Sequence, residues 1–526
     1  MKRSLSCLIA ILASVWVFTD VLKSQEKDSR AVIGPAPADV SALRGFPEYV
    51  NARLKEWIVP GAAIAIVKGG RVIFAEGFGL RDIAHKLPVT PHTIMPIGSS
   101  TKAFTTLAIG TLVDEGKLDW DTPIRNYVPT FKMYDSFATE RMTLQDMACH
   151  RSGLPRHELM WLGSPFNREQ LFDRLQYLEP NKDFRSCYQY QNLVYMAAGY
   201  IAGKIAGTNW EQLVKERIFQ PLGMTSANFS ALESQKTGDA AKPYLEKDGV
   251  LEERPLAGED AIGPAGSICA HVLDMAKWVE LHLGNGEFEG KRIVSESTLK
   301  LLHTAQMPIE EDDPISNEMR QYRELGDKCY AFGWTTGTYR GHRLVEHGGN
   351  AVGFTASVQM LPDDGIGVVV ITNADHTDLS DVICYQVFDR LLGLDRIDWS
   401  GRMRKLWQKM LDMISQAKQQ ATAERKAGTT PSHPLADYAG EYEHPGYGTF
   451  IVKLEADKLK GFYNGHDWPI KHHHYDIFSF EFWIYGFSFL GTFHTDTKGN
   501  IDSLSLPLEN TVKEIVFKRK GEKQRN

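Results

Sequence analysis

The sequence predicts an α+β protein in two parts: an antiparallel sheet flanked by helices with a helical lobe, then a small all-β domain of barrel or sandwich type. Three observations carry this. Short apolar segments bounded by turns occur near both ends of the first 395 residues, and the stretch between them is helical in pattern. Beyond about residue 433 the texture changes to β-branched and aromatic runs alternating with turns such as Asp496-Thr497-Lys498-Gly499-Asn500.

At 526 residues the chain is long enough for a large core and more than one domain. Its net charge of −7, with no basic block, argues against nucleic acid as a partner. Lys2 and Arg3 precede an apolar run from about Cys7 to Phe18 that is too short to span a bilayer. We read residues 1–24 as a secretory signal ending at Ser24, with a retained N-terminal anchor as the alternative. A secreted or periplasmic protein with no stable membrane span after signal removal is expected. Of the six cysteines, Cys7 falls in this signal, and no two of the other five are closely spaced. That argues against a zinc knuckle or a dense disulfide framework and leaves one disulfide open.

Residues 25–42 are polar and contain prolines, as in a linker. A helix is expected from about Val40 to Trp57. Strands follow at Ala62–Lys68 and Arg71–Phe78, with Gly69-Gly70 between them as a hairpin signal. A helix-period pattern then starts near Ser99 and, with interruptions, helical character lasts to about Leu283. Later strands are expected at Tyr330–Thr338, His342–Glu346, Phe354–Leu361 and Gly367–Thr372, then a helix from Asp378 to Leu392. The catalytic part is thus read as residues 43–395. Met403, Leu406, Trp407, Met410, Leu411 and Ile414 form a helical stripe in a connector over 396–432. The β domain over 433–526 is expected to be separable and to hold no catalytic group.

The chemistry starts at Ile97–Thr105. Ser99 stands at a helix start with Lys102 three residues on, one turn later on the same face. A hydroxyl nucleophile needs a base and donors for an oxyanion; a lysine supplies the first and helix-start N–H groups help with the second. Ser-x-x-Lys alone is cheap, and Ser24–Lys27 and Ser297–Lys300 repeat it. Two further groups strengthen the Ser99 copy. Tyr190-Gln191-Asn192 precedes an apolar helix and offers a phenol, able to pass protons if cations lower its pKa, and an amide. His347-Gly348-Gly349 leads to a strand; its glycines allow a close backbone approach, and its histidine can bond Tyr190 or a substrate carboxylate.

These three groups, in this order, resemble the motifs of the serine β-lactamase-related family, which includes class C β-lactamases, D-alanyl-D-alanine carboxypeptidases, D-aminopeptidases and certain esterases. Further similar stretches include His150-Arg151-Ser152-Gly153-Leu154-Pro155, Phe332-Gly333-Trp334 and His347–Asn373. Lys236-Thr237-Gly238 spells the lysine form of the third motif, but it lies in a polar run with no strand after it. The histidine form at His347 looks more like the peptidase and esterase branches. The C-terminal β domain is similar to one appended to many peptidase-like members, and in some of these it contributes to oligomerisation or caps the cleft.

The resemblance implies a β-lactamase/transpeptidase-like domain and acyl transfer. Ser99 would attack a carbonyl, with its proton passing to Lys102 directly or through Tyr190. Bringing a lysine from about 10.4 to near neutrality takes about 4 kcal/mol of burial and charge. The backbone N–H groups of Ser99 and Asn350 would form the oxyanion hole. Asn192 would hold the substrate amide, and His347, Gly348 and Gly349 would line the site. No cofactor or metal is implied, and on a strand only His472 and His474 of the run His472-His473-His474 would share a face. The expected partner is a small-molecule or peptide substrate: a β-lactam, a D-amino-acid peptide or an ester. A homo-oligomer through the C-terminal domain is a further expectation. The alternatives are a true class C β-lactamase and a non-enzymatic binding or matrix protein on the same fold. Asn228-Phe229-Ser230 is a glycosylation sequon, meaningful only in a eukaryotic secretory route.

Overall fold

The structure is a computed structural model describing residues 41–521 apart from 257, 259, 311–313, 376 and 483–487. The expected signal peptide and nearly all of the linker lie outside the described residues. Helix α1 (Phe46–Glu56) leads into strands β1 (Gly61–Lys68) and β2 (Arg71–Asp82). Gly69 and Gly70 join them at φ 58° and 72°, the left-handed pair that a two-residue hairpin turn requires. Strand β3 (Leu87–Pro88) completes the N-terminal edge. The helical lobe follows, with α2 (Thr101–Asp114), α3 (Asn192–Ile205) and α4 (Val272–Leu283) as its long members.

Six strands then return to the same sheet: β4 (Met307–Pro308), β5 (Cys329–Tyr330), β6 (Thr335–Tyr339), β7 (His342–Ala351), β8 (Phe354–Leu361) and β9 (Ile366–Thr372). Their order is β4-β5-β6-β7-β8-β9-β1-β2-β3, so β1 and β9 close the domain between its two ends. Both are buried along almost their whole length, because both sheet faces are covered. Ala63, Ala65 and Val67 face the lobe, while Ala62, Ile64 and Ile66 face α1 and α5 (Leu379–Leu391). This is the two-residue period of a strand applied to an all-apolar run.

Two expected strands differ. The one read over Tyr330–Thr338 is split into β5 and β6 by a turn with Gly333 at φ 75°. A Cβ at Gly333 would stand 2.8 Å from the Lys102 carbonyl oxygen, so this turn packs on the start of α2. The one read over His342–Glu346 runs on to Ala351, which places His347-Gly348-Gly349 inside β7.

Helix α6 (Trp399–Ala423) buries Met403 and Leu406 and leaves Leu411 and Ile414 exposed. The C-terminal domain is a closed barrel of eight strands between Gly440 and Arg519. Its aromatic interior (Tyr442, Phe450, Trp468, Phe480, Phe517) belongs to the same continuous apolar cluster as the helical lobe. The barrel and the lobe thus share an apolar contact. A bulge at His473 breaks the strand alternation, and His472 bonds the Tyr475 carbonyl through Nε2 at 2.9 Å. The five described cysteines are all free thiols. No helix among the described residues is long and apolar enough to cross a membrane.

Candidate active site

Ser99 lies in a 3-10 turn, Gly98–Ser100, that runs directly into α2. The turn is fastened to the sheet: the Ser100 hydroxyl donates to the His347 carbonyl at 3.0 Å. Helix α2 is fastened to the lobe, where Thr105 Oγ1 donates to the Pro264 carbonyl at 2.7 Å and Thr101 Oγ1 accepts from the Ile268 N–H at 3.1 Å. These contacts hold Lys102 fully buried one turn after Ser99. Its Nζ is 3.1 Å from Ser99 Oγ and 2.8 Å from the Ala265 carbonyl oxygen.

Tyr190 reaches the same point from the lobe. Its hydroxyl hydrogen-bonds Ser99, and its ring centroid lies 4.6 Å from Lys102 Nζ. Burial pushes the phenol well above its usual range, with the Ser99 hydrogen bond only partly opposing. Tyr190 is therefore a neutral phenol, whereas the sequence reading looked to cations to lower it: here desolvation outweighs the neighbouring Arg156. Gln191 caps α3 by accepting from the Leu193 N–H, which frees Asn192 for the cleft. Asn192 Nδ2 donates to Glu158 Oε1 at 3.0 Å, and its Oδ1 is buried with no hydrogen-bond partner among the described residues.

His347 is placed differently from expectation. Its Nε2 pairs with the Tyr330 hydroxyl at 2.9 Å, not with Tyr190, and its Nδ1 lies 2.5 Å from the Gly348 carbonyl oxygen. The Tyr330 phenol is pushed up by burial, so it donates; Nε2 accepts and Nδ1 carries the proton. Burial, then Lys102, lowers the imidazole to about 3, so the ring is neutral with both nitrogens engaged. Gly349 lies against the Ser99 turn: a Cβ there would be 1.9 Å from the Ile97 carbonyl oxygen and 3.0 Å from the Ser99 nitrogen. A Cβ on Gly98 would be 2.7 Å from the Asn350 nitrogen. The backbone nitrogens of Ser99 and Asn350 thus meet where β7 crosses the head of α2. Ser99, Tyr190, Asn192, His347, Gly348, Gly349 and Asn350 line one open cleft, with Lys102 beneath.

Residue-by-residue reading missed four members of this cluster. His150, fully buried, accepts the Gln191 N–H through Nδ1 at 3.0 Å and stacks against Tyr190. Tyr330 holds His347, and Arg156 and Glu158 line the cleft. His150 stood in a stretch already singled out, and Arg156 and Glu158 follow it directly. The competing motif copies lie elsewhere: Lys236 pairs with Glu233 on the surface, and Ser297 is on the exposed face of a short helix over Glu296–Leu302.

A family model described as Beta-lactamase matches residues 46–387. The chain belongs to the beta-lactamase family. A second model, a domain of unknown function (DUF3471), matches residues 424–519 and so covers the barrel. Within the family, the chain is 28% identical over 432 residues to an unguisins hydrolase of Aspergillus campestris, covering 78% of each chain. Among solved structures it is similar to the octameric penicillin-binding protein homologue from Pyrococcus abyssi. That likeness has a TM-score of 0.58 and 25% identity and covers 90% of this chain and 100% of that one. It is also similar in fold to EstCE1, a hydrolase with promiscuous acyltransferase activity (TM-score 0.56, 20% identity, 67% of this chain and 99% of that one). These beta-lactamase-family likenesses support a serine hydrolase.

Proposed function

We propose that the chain is an exported serine hydrolase that forms an acyl-enzyme on amide or ester bonds, of peptidase or esterase kind with penicillin-binding character. One observation carries this: Ser99 Oγ is held between Lys102 Nζ, at 3.1 Å, and the Tyr190 hydroxyl at the head of α2. In this reading Ser99 Oγ attacks the carbonyl carbon and its proton passes into the Lys102–Tyr190 pair, which titrates as a unit. The leaving group takes a proton from the same pair. Water, activated by the pair, then releases the acyl group. The Ser99 and Asn350 N–H groups receive the oxyanion, and Asn192 Oδ1, buried and without a partner among the described residues, offers an acceptor to a substrate N–H. The neutral His347, in place of a lysine, supports the peptidase and esterase branches over efficient antibiotic hydrolysis. The octameric neighbour supports self-association; we assign it to the barrel, whose outer face exposes Phe462, Leu490 and Val516.

The experiment is labelling with a fluorescent penicillin followed by peptide mapping. The label is expected on Ser99 and absent from Ser99→Ala. A label on Ser297, or Ser99→Ala turnover near wild type, overturns the proposal. Rapid release of the label would instead identify a true β-lactamase.

A further inference from the structure

Among the described residues, Arg156 is the one cation in the wall of the cleft that faces solvent. Its side chain is 54% exposed, its Nε donates to Glu158 Oε1 at 3.1 Å, and its Nη2 stands 3.1 Å from that same oxygen. Nη1 has no hydrogen-bond partner among the described residues. The guanidinium carbon lies 4.9 Å from the centroid of the Tyr190 ring, whose hydroxyl bonds Ser99, and Arg156 lines the same cleft as Ser99. Lys102 is fully buried, and both nitrogens of His347 are engaged. Arg156 is therefore the group left to meet a negative charge on a bound molecule, and its planar fork suits a carboxylate.

What holds Arg156 in place comes from the barrel. The next residue, His157, is buried with φ 47°, and its backbone N–H donates to Glu509 Oε2 at 2.9 Å. Its Nδ1 pairs with the Tyr447 hydroxyl at 2.7 Å and its Nε2 with the Glu179 carbonyl at 3.0 Å. The short helix Glu158–Trp161 has four residues, too few to hold itself. The Tyr463 hydroxyl and Asn464 Nδ2 donate to the Leu159 carbonyl at 3.1 and 3.0 Å, and Asn464 Nδ2 also reaches the Leu162 carbonyl at 3.2 Å. Four barrel residues thus grip the segment that presents Arg156 and Glu158.

We propose that Arg156 selects acyl donors carrying an anionic group near the scissile carbonyl, and that the barrel acts as a positioning element for that selection. This deepens the serine-hydrolase reading and rests on it. It also gives the domain of unknown function a task at the cleft without placing a catalytic group in it.

The test uses full-length protein and reversible binding of boronic acids, whose boron accepts a serine oxygen. Dissociation constants are measured for phenylboronic acid and for its ortho-, meta- and para-carboxy derivatives. For the best isomer, wild type is expected to favour the carboxylate by about tenfold, the scale of one charge-assisted hydrogen-bonded pair. Arg156→Gln should bring that ratio close to one, and Arg156→Lys should restore part of it. Tyr447→Phe, with the His157 bond removed, should shrink the ratio by about threefold; a merely structural loss would weaken both probes alike and leave the ratio intact. A wild-type ratio near one, or a ratio unchanged in Arg156→Gln, overturns the role of Arg156. A ratio unchanged in Tyr447→Phe overturns the role of the barrel. Ser99→Ala separates the two readings: unweakened binding of both probes with the ratio preserved would sink the serine mechanism and leave Arg156 standing. No saturable binding of any probe to wild type counts against both.

Discussion

The His347 ring is held by Tyr330, whose hydroxyl lies 2.9 Å from Nε2, and not by the Tyr190 hydroxyl that bonds Ser99. Two tyrosines therefore serve two different groups in the cleft. In the proposed mechanism one belongs to the proton path around Ser99. The other fixes the tautomer of a neutral imidazole.

Tyr330→Phe is accordingly expected to leave a buried ring nitrogen without its donor. The loss of stability should be about 1–3 kcal/mol. Labelling of Ser99 should slow by roughly tenfold, because β7 carries both His347 and the strand edge beside Ser99. Thermal unfolding and the second-order labelling rate check the two parts. An unchanged melting temperature would show that the hydroxyl is not needed to satisfy Nε2.

Lys102→Ala and Tyr190→Phe should each remove most turnover without unfolding the protein. Both groups touch Ser99 Oγ and are assigned to one proton, so the double variant should be little slower than the slower single one. Steady-state rates for the four proteins of the cycle measure this. Additive losses would mean that the two side chains act in separate steps.

The α+β architecture was legible because β1 and β9 are short apolar runs and the Gly69-Gly70 turn has a local signature. Ser99, Lys102, Tyr190 and Asn192 were legible because motif and helix start coincide. The partner of His347 was not, since Tyr330 reaches it only through the register of β5, β6 and β7. The direction of the Tyr190 shift was not legible, because burial is a tertiary property that local sequence does not report. The grip of the barrel on His157 joins residues 290 and 352 positions apart, beyond any periodicity.

Acid should destabilise the fold in a window set by buried histidines. Burial lowers His347 and His303 to about 3 and His444 to about 4, against about 6.5 for an unfolded chain. Between those values the unfolded state binds more protons. The stabilisation is therefore complete above about pH 6.5 and is lost as pH falls toward 3–4. At pH 5 each of His347 and His303 should account for about 2 kcal/mol of loss. Denaturant unfolding at pH 7.5 and pH 5 measures the difference, and His303→Gln should reduce it. A pH difference as large in His303→Gln as in wild type would show that this ring is not held neutral.

The adjacent glycines of β7 should respond in opposite ways to one added methyl. A Cβ on Gly348 meets nothing nearer than the Ala356 carbonyl oxygen at 3.8 Å, so it fits. A Cβ on Gly349 would stand 1.9 Å from the Ile97 carbonyl oxygen and 3.0 Å from the Ser99 nitrogen. Both neighbours are backbone, so neither can rotate away; the strand or the Ser99 turn must move. The turn is tied to β7 by Ser100 and to the lobe through α2, so the displacement falls on Ser99 itself. A shift of about 1 Å in a reacting group costs on the order of a hundredfold in rate. Gly349→Ala should therefore lose Ser99 labelling by about that factor while remaining folded by circular dichroism, and Gly348→Ala should stay within a few-fold of wild type. Wild-type labelling in Gly349→Ala would mean that the closeness of this strand to the nucleophile turn does not set the reactive geometry.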